Sequence, residues 1–194
     1  GLAAFFCICV GQRFNKHRVL AAFRNHRVAE SYFAGTTGYG YGDIGREALD
    51  AVLADIFGCE DALIRHNFVS GTHALTTALF GVLRPGDTIV SLTGRPYDTL
   101  EEVVGLRGEG HGSLKEWGVT FRMRELAPDG HIDFDAIPAA VQGARVAYIQ
   151  RSRGYTLRPS VTVAEIARVV ELVKKASPDT IVMVDNCYGE FVER

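Results

Sequence analysis

The sequence predicts an α/β fold: a mostly parallel sheet with helices on both faces. Two observations carry that prediction. Short runs that are apolar almost throughout, such as "TIVSL", "RVAYIQ" and "TIVMVD", recur along the chain. Between them lie longer segments with apolar residues at helical spacing. Strands buried on both faces read as near-continuous apolar runs, and intervening helices supply the crossovers that parallel pairing needs.

Taken in order, residues 16–25 read as helical and "AGTTGYGYGDIG" as a glycine-rich loop. "REALDAVLADIFG" places Leu49, Val52, Leu53 and Ile56 on one helical face, with Gly58 where a helix C-terminus favours positive φ. "ALIRH" reads as a short strand, and "THALTTALFGVL" as a helix closed by the turn "RPGD". "TIVSL" follows as a strand, then "DTLEEVVGLR" as a helix with Asp98 and Glu101 as a capping box. "GVTFRMREL" is a strand, "DFDAIPAAV" a short helix and "RVAYIQ" a strand. "TVAEIARVVELVKKA" has the clearest helical period, with Thr162 and Glu165 as a second capping box and Lys174 and Lys175 suited to its C-terminus. "TIVMVD" closes the series. Residues 1–45 are expected to form an N-terminal arm and loop, and residues 46–194 a single α/β domain.

Composition narrows the function classes. Hydrophobic residues make up 47% of the 194 and charged residues 23%, which suits a globular core and excludes a disordered chain. A net charge of −2 argues against a nucleic-acid or anionic-membrane surface. Cys7, Cys9, Cys59 and Cys187 show neither a CxxC pair nor zinc-site spacing, and fit free thiols in a reducing compartment. "GLAAFFCICV" is too short to span a bilayer and lacks a charged segment before it. Because the chain opens on Gly1, truncation is expected at this end, the tail of a signal segment being the alternative.

Ligands of such sheets bind beyond the carboxyl ends of the strands, and the candidate residues collect there. Asp185 ends a strand, as a functional carboxylate, a helix cap or a loop ion-pair partner. Ser70, Gly71 and Thr72 open a helix; small residues there admit a phosphate to free N–H groups, although serine is also an ordinary N-cap. Tyr97 follows a strand and either stacks on a planar group or packs with its hydroxyl bonded. Arg151 and Arg153 lie just past another strand, holding an anion or facing solvent. Gly40, Gly42 and Gly45 match GxGxxG, but "AESYFAGTT" before them lacks the buried strand a dinucleotide site requires. A phosphate-type helix start, an aromatic ring and a carboxylate together suit the phosphate, ring face and ring nitrogen of pyridoxal phosphate.

From roughly Arg18 to Arg194 the sequence resembles the methionine gamma-lyase-like family, also described as aluminium-resistance or cystathionine beta-lyase-related proteins. The resemblance rests on "TGYGYGDIGRE", "FVSGTHAL", "LRPGD", "GRPYDTLEEVVG", "GSLKEWGV", "IQRSRGY", "RPS" and "VDNCYGEFVE". It implies an aspartate-aminotransferase-type (fold type I) large domain, incomplete at its C-terminus, and pyridoxal 5'-phosphate as cofactor. It implies carbon–sulfur elimination from a small amino-acid substrate, in the cytoplasm, by a homodimer or homotetramer. By resemblance, Ser70, Gly71 and Thr72 cradle the phosphate, Tyr97 stacks on the ring and Asp185 pairs with the ring nitrogen. Tyr39 and Tyr41 lie in a loop that reaches a partner's site in related enzymes, and Arg151 and Ser152 are carried over without one assigned role.

One part of the pattern is missing. Such enzymes hold the cofactor through a lysine beyond the aspartate-bearing strand, and this sequence has only Lys16, Lys115, Lys174 and Lys175. A partial sequence lacking that lysine and a C-terminal domain is therefore expected. The rival readings are a nucleotide-binding oxidoreductase domain built on Gly40, Gly42 and Gly45, a non-catalytic α/β module, and a different reaction on the same cofactor.

Overall fold

A computed structural model describes residues 2–109 and 111–193, with side chains from residue 13 onward. The chain divides into two compact units, residues 1–68 with 191–194, and residues 69–190.

The first unit is helical. α1 (Leu2–Asn25) is longer than the helix the sequence suggests, and α2 (Ile44–Phe57) pairs with it. Ala22, Val52 and Ile56 form their buried seam, flanked by Val19, Val28 and Leu53. Asp43 caps α2 by accepting from the Arg46 N–H at 3.0 Å, and Gly58 ends it in the left-handed conformation with φ 65°. Between the helices, Glu30–Phe33 forms a 3-10 turn, so no strand precedes the glycine-rich loop. Gly45 is glycine for a packing reason: a Cβ there would collide with the Tyr32 carbonyl. "ALIRH" is irregular and not the expected strand. Its Ile64 N–H and Arg65 guanidinium both donate to Asp50 Oδ1 at 2.8 Å, which ties the segment to α2.

The second unit is the layered one. Its elements in order are α3 (Gly71–Val82), β1 (Thr88–Ser91), α4 (Asp98–Val104), β2 (Thr120–Met123), α5 (Ile137–Ala140), β3 (Val146–Gln150), α6 (Val163–Ala176) and β4 (Ile181–Asp185). All strand pairs are parallel, in the order β2-β1-β3-β4. Val146, Ala147, Tyr148 and Ile149 of β3 are fully buried, as a central parallel strand requires. Strand periodicity sends alternate side chains to opposite layers. Val90, Leu92, Ala147 and Ile149 pack with Ile137, Val169 and Val173, the α5 and α6 side. Ile89, Val146 and Tyr148 pack with Leu79, Leu83, Leu100 and Val104, the α3 and α4 side. The expected α/β architecture with both faces covered is therefore observed.

One expected cap is absent. Tyr97, not Asp98, is the N-cap of α4, and it makes no side-chain capping bond. Glu101, placed to close a capping box, instead takes a bidentate ion pair from Arg95, whose Nη2 lies 2.9 Å from Glu101 Oε2. That hydrogen bond outweighs burial and holds the Glu101 carboxyl below its usual range. The Thr162–Glu165 box of α6 forms as expected. No helix among the described residues is long and apolar enough to cross a membrane.

Candidate functional site

The strand ends and helix starts of the second unit meet at one edge of the sheet. β3 and β4 are in register so that Gln150 lies opposite Asp185, both at the carboxyl ends of their strands. The alternation that sends Tyr148 toward α3 and α4 sends Gln150 and Asp185 to the same face. The starts of α3 and α4 are bound to each other there: Thr72 Oγ1 and Thr99 Oγ1 are 2.8 Å apart.

Asp185 is neither a helix cap nor half of an ion pair among the described residues. Its Oδ2 accepts from the Tyr148 hydroxyl at 3.0 Å, and its backbone carbonyl accepts from the Arg151 N–H at 2.9 Å. The carboxylate is partly exposed, and Oδ1 has no protein donor among the described residues. It is a charge with an acceptor atom to offer.

Ser70 does what an N-cap serine does: its Oγ accepts from the His73 N–H at 3.1 Å. The first turn of α3 carries no acidic residue. Among the described residues the N–H groups of Gly71 and Thr72 have no protein acceptor, and nothing lies within 4 Å of where a Gly71 Cβ would stand. Open amides at a helix start, with the positive end of the dipole behind them, constitute an anion site in chemical type.

Tyr97 is anchored by its backbone, and its ring is partly exposed. Its N–H donates to Gln150 Oε1 at 2.7 Å, tying the start of α4 to the end of β3. The residue is 37% exposed, and the Tyr155 ring centroid lies 6.0 Å from that of Tyr97. The hydrogen bond with the Tyr155 hydroxyl, then that residue's charge and partial burial, push the Tyr97 phenol up to about 12, so it remains a neutral hydroxyl at neutral pH.

Arg151 has a different task from an exposed anion holder. It is buried, and its Nε donates to Val161 O at 3.1 Å while Nη1 donates to Asn186 Oδ1 and Gly189 O, each at 2.7 Å. Its guanidinium clamps the turn that follows Asp185. A Cβ at Gly189 would collide with it, and Cys187 within the turn takes φ 50°. Ser152 contributes its carbonyl, which accepts from Gln150 Nε2 at 3.2 Å and from Arg158 Nη2 at 2.5 Å. Tyr39 and Tyr41 belong to the other unit and are 82% and 93% exposed.

Thus Ser70, Gly71, Thr72, Tyr97, Arg151, Ser152 and Asp185 all belong to the unit that carries the strand ends. Tyr148, Gln150, Thr99 and Tyr155 are further members that sequence reasoning missed. For Tyr148 a signal existed, a lone hydroxyl inside the apolar run "VAYIQ". No group of three potential metal ligands occurs among the described residues.

Comparison with known proteins places the chain in a family. The family model described as methionine gamma-lyase matches residues 5–194. "Uncharacterized protein YnbB" of Bacillus subtilis is 51% identical over 181 residues, covering 92% of this chain and 43% of that protein. The structure of a carbon-sulfur lyase involved in aluminum resistance from Clostridium novyi NT is similar with a TM-score of 0.93 at 43% identity, over 98% of this chain and 46% of that one. The pyridoxal-5'-phosphate dependent protein YhfS from Escherichia coli, 19% identical with a TM-score of 0.66, covers 91% of this chain and 44% of that one, and shares the fold. The chain therefore spans a little under half the length of these proteins. A family match over nearly its whole length settles the kinship: the chain belongs to the methionine gamma-lyase family.

Proposed function

We propose that the chain is the cofactor-binding part of a pyridoxal-phosphate-dependent carbon–sulfur lyase acting on sulfur amino acids. The observation that carries this reading is Asp185, a carboxylate without an ion-pair partner among the described residues, at a strand end on the same sheet face as α3 and α4. The donor set fits the group. α3 offers open amides and the Ser70 and Thr72 hydroxyls to a phosphate, Tyr97 offers a partly exposed ring, and Asp185 offers an anionic acceptor.

When bound, pyridoxal phosphate supplies the electron sink for the bond broken at the substrate's α-carbon. The work of this chain is to bind and polarise. The Asp185 carboxylate would hold a proton on the ring nitrogen, a charge pairing that typically raises such a pKa by about 1–3. The α3 start neutralises the phosphate with N–H groups and the helix dipole. The Tyr97 hydroxyl remains protonated at neutral pH and would act beside the ring as a hydrogen-bond donor.

The cofactor-linking lysine is proposed to come from the rest of the full-length protein. Lys174 Nζ is bound to the carbonyls of Pro178 and Thr180, at the opposite end of β4 from Asp185. Cytoplasmic location and assembly as a homodimer or homotetramer belong to the same proposal. The dinucleotide alternative on Gly40, Gly42 and Gly45 lacks its strand, since a 3-10 turn stands in that place.

The test is the full-length protein with Asp185→Ala, and separately with Ser70→Ala and Thr72→Ala combined. Asp185→Ala should lower elimination from sulfur amino acids by about 10- to 1000-fold, given the charge partner lost. The double variant should lose cofactor on dialysis and recover it with excess cofactor. Unchanged turnover in the first variant would falsify the assignment of Asp185.

A further inference from the structure

Tyr148 is fully buried in the middle of β3, where the neighbouring residues are apolar. Its ring packs in the cluster formed with Leu79, Leu100 and Val104. Phenylalanine would fill that space without bringing a hydroxyl to satisfy. Parallel register places Tyr148 beside Met183, which makes Asp185 its diagonal neighbour on β4, within reach of a long aromatic side chain. The hydroxyl donates to Asp185 Oδ2 at 3.0 Å. Burial, and then the charge of Asp185, push this phenol far above its usual range, so it is a donor at every working pH. A carboxylate held at one oxygen cannot swing about its terminal torsion. Oδ1, the atom without a donor among the described residues, is then held in direction.

We propose that Tyr148 is a positioning residue for Asp185: its buried hydroxyl holds one carboxylate oxygen so that the other meets the ring nitrogen of the bound cofactor. The inference rests on the reading of Asp185 given above. It adds a member from the hydrophobic layer below the site, one that acts through Asp185. The Arg151 clamp acts on the backbone just beyond Asp185, whereas Tyr148 acts on the carboxylate itself.

The experiment compares four forms of the full-length protein: wild type, Tyr148→Phe, Asp185→Asn and the double variant. The readouts are the dissociation constant of pyridoxal phosphate and the visible absorption of the bound cofactor across pH. Tyr148→Phe should weaken binding by about tenfold, the scale of one hydrogen bond to a charged group. It should also shift the absorption in the same direction as Asp185→Asn, by a smaller amount. Because Tyr148 acts through Asp185, the double variant should be no worse than Asp185→Asn alone. A wild-type constant and spectrum in Tyr148→Phe, or losses that add in the double variant, would overturn the proposal. If Asp185→Asn itself changes neither readout, the assignment of Asp185 fails first and takes the proposal with it. Should Tyr148→Phe not fold, 3-fluorotyrosine at position 148 retains the shape and sharpens the donor. The absorption profile across pH must then move from that of wild type, and an unmoved spectrum overturns the proposal.

Discussion

The helices α3 and α6 start in the same way and finish the start differently. Each has a hydroxyl N-cap that accepts from the N–H three residues on: Ser70 from His73 at 3.1 Å, and Thr162 from Glu165 at 3.2 Å. In α6 the box is then closed, because Glu165 Oε2 accepts from the Thr162 N–H at 2.8 Å. Its carboxylate also sits against the positive end of the helix dipole. In α3 the corresponding residue is His73, the first turn has no acid, and the Gly71 and Thr72 amides stay open. One residue type therefore separates a helix start closed by its own carboxylate from one that has no carboxylate.

Converting the open start into a closed one should give the largest effect. Gly71→Glu meets no obstacle at its Cβ, since nothing lies within 4 Å of that position and Gly71 is not among the positive-φ glycines. The new carboxylate occupies the helix start and repels an incoming phosphate. Like charges juxtaposed at a binding surface cost several kcal/mol, so cofactor affinity in the full-length protein should fall by about 100-fold or more. Meanwhile the cofactor-free form should be as stable as wild type or gain about 0.3–1 kcal/mol from the dipole. Titration with cofactor and urea unfolding without it measure the two halves. Wild-type affinity in Gly71→Glu would mean that α3 is merely capped, as α6 is.

Opening the closed start tests the other side. Thr162→Ala should cost about 0.5–2 kcal/mol of stability, the usual worth of a hydroxyl N-cap, and leave cofactor affinity unchanged. Ser70→Ala should cost a similar amount in stability and, unlike Thr162→Ala, weaken cofactor retention. The same two measurements on both variants decide whether the helices differ in function or only in sequence.

This contrast was half legible in the sequence. Thr162 and Glu165 carry the capping-box spacing in plain letters, and the box forms. Asp98 and Glu101 carry it too, yet Glu101 is claimed by Arg95, a competitor that linear spacing does not reveal. The strands "TIVSL", "RVAYIQ" and "TIVMVD" were readable because strands covered on both faces are apolar throughout. "ALIRH" shows the limit of that rule: a short apolar run becomes a strand only where a neighbour can pair with it, and here Asp50 holds it instead. Asp185, Tyr97 and Ser70 could be singled out because their positions follow strand ends and helix starts. Tyr148 could not be linked to Asp185, because that link depends on parallel register, which is set by the packing of the whole sheet.

The smallest effect that sharpens the comparison is one of pH. Burial pushes the Glu165 carboxyl up, but the Thr162 amide and hydroxyl and the nearby His131 ring pull it down by more, leaving it below its ordinary value. A carboxyl depressed in the folded state contributes stability that is fully present above its unfolded value, about 4.3, and is lost as pH falls through the folded one. Glu165→Gln should therefore flatten the acid side of the urea-midpoint profile below about pH 4.3 relative to wild type. The start of α3 holds no carboxyl to titrate, so Ser70→Ala should lower the midpoint by the same amount at every pH in that range. With Gly71→Glu the acid slope should steepen, because a helix-start carboxylate has been added where there was none. If all three variants run parallel to wild type, charge at the helix start is immaterial, and the difference between α3 and α6 reduces to hydrogen-bond geometry.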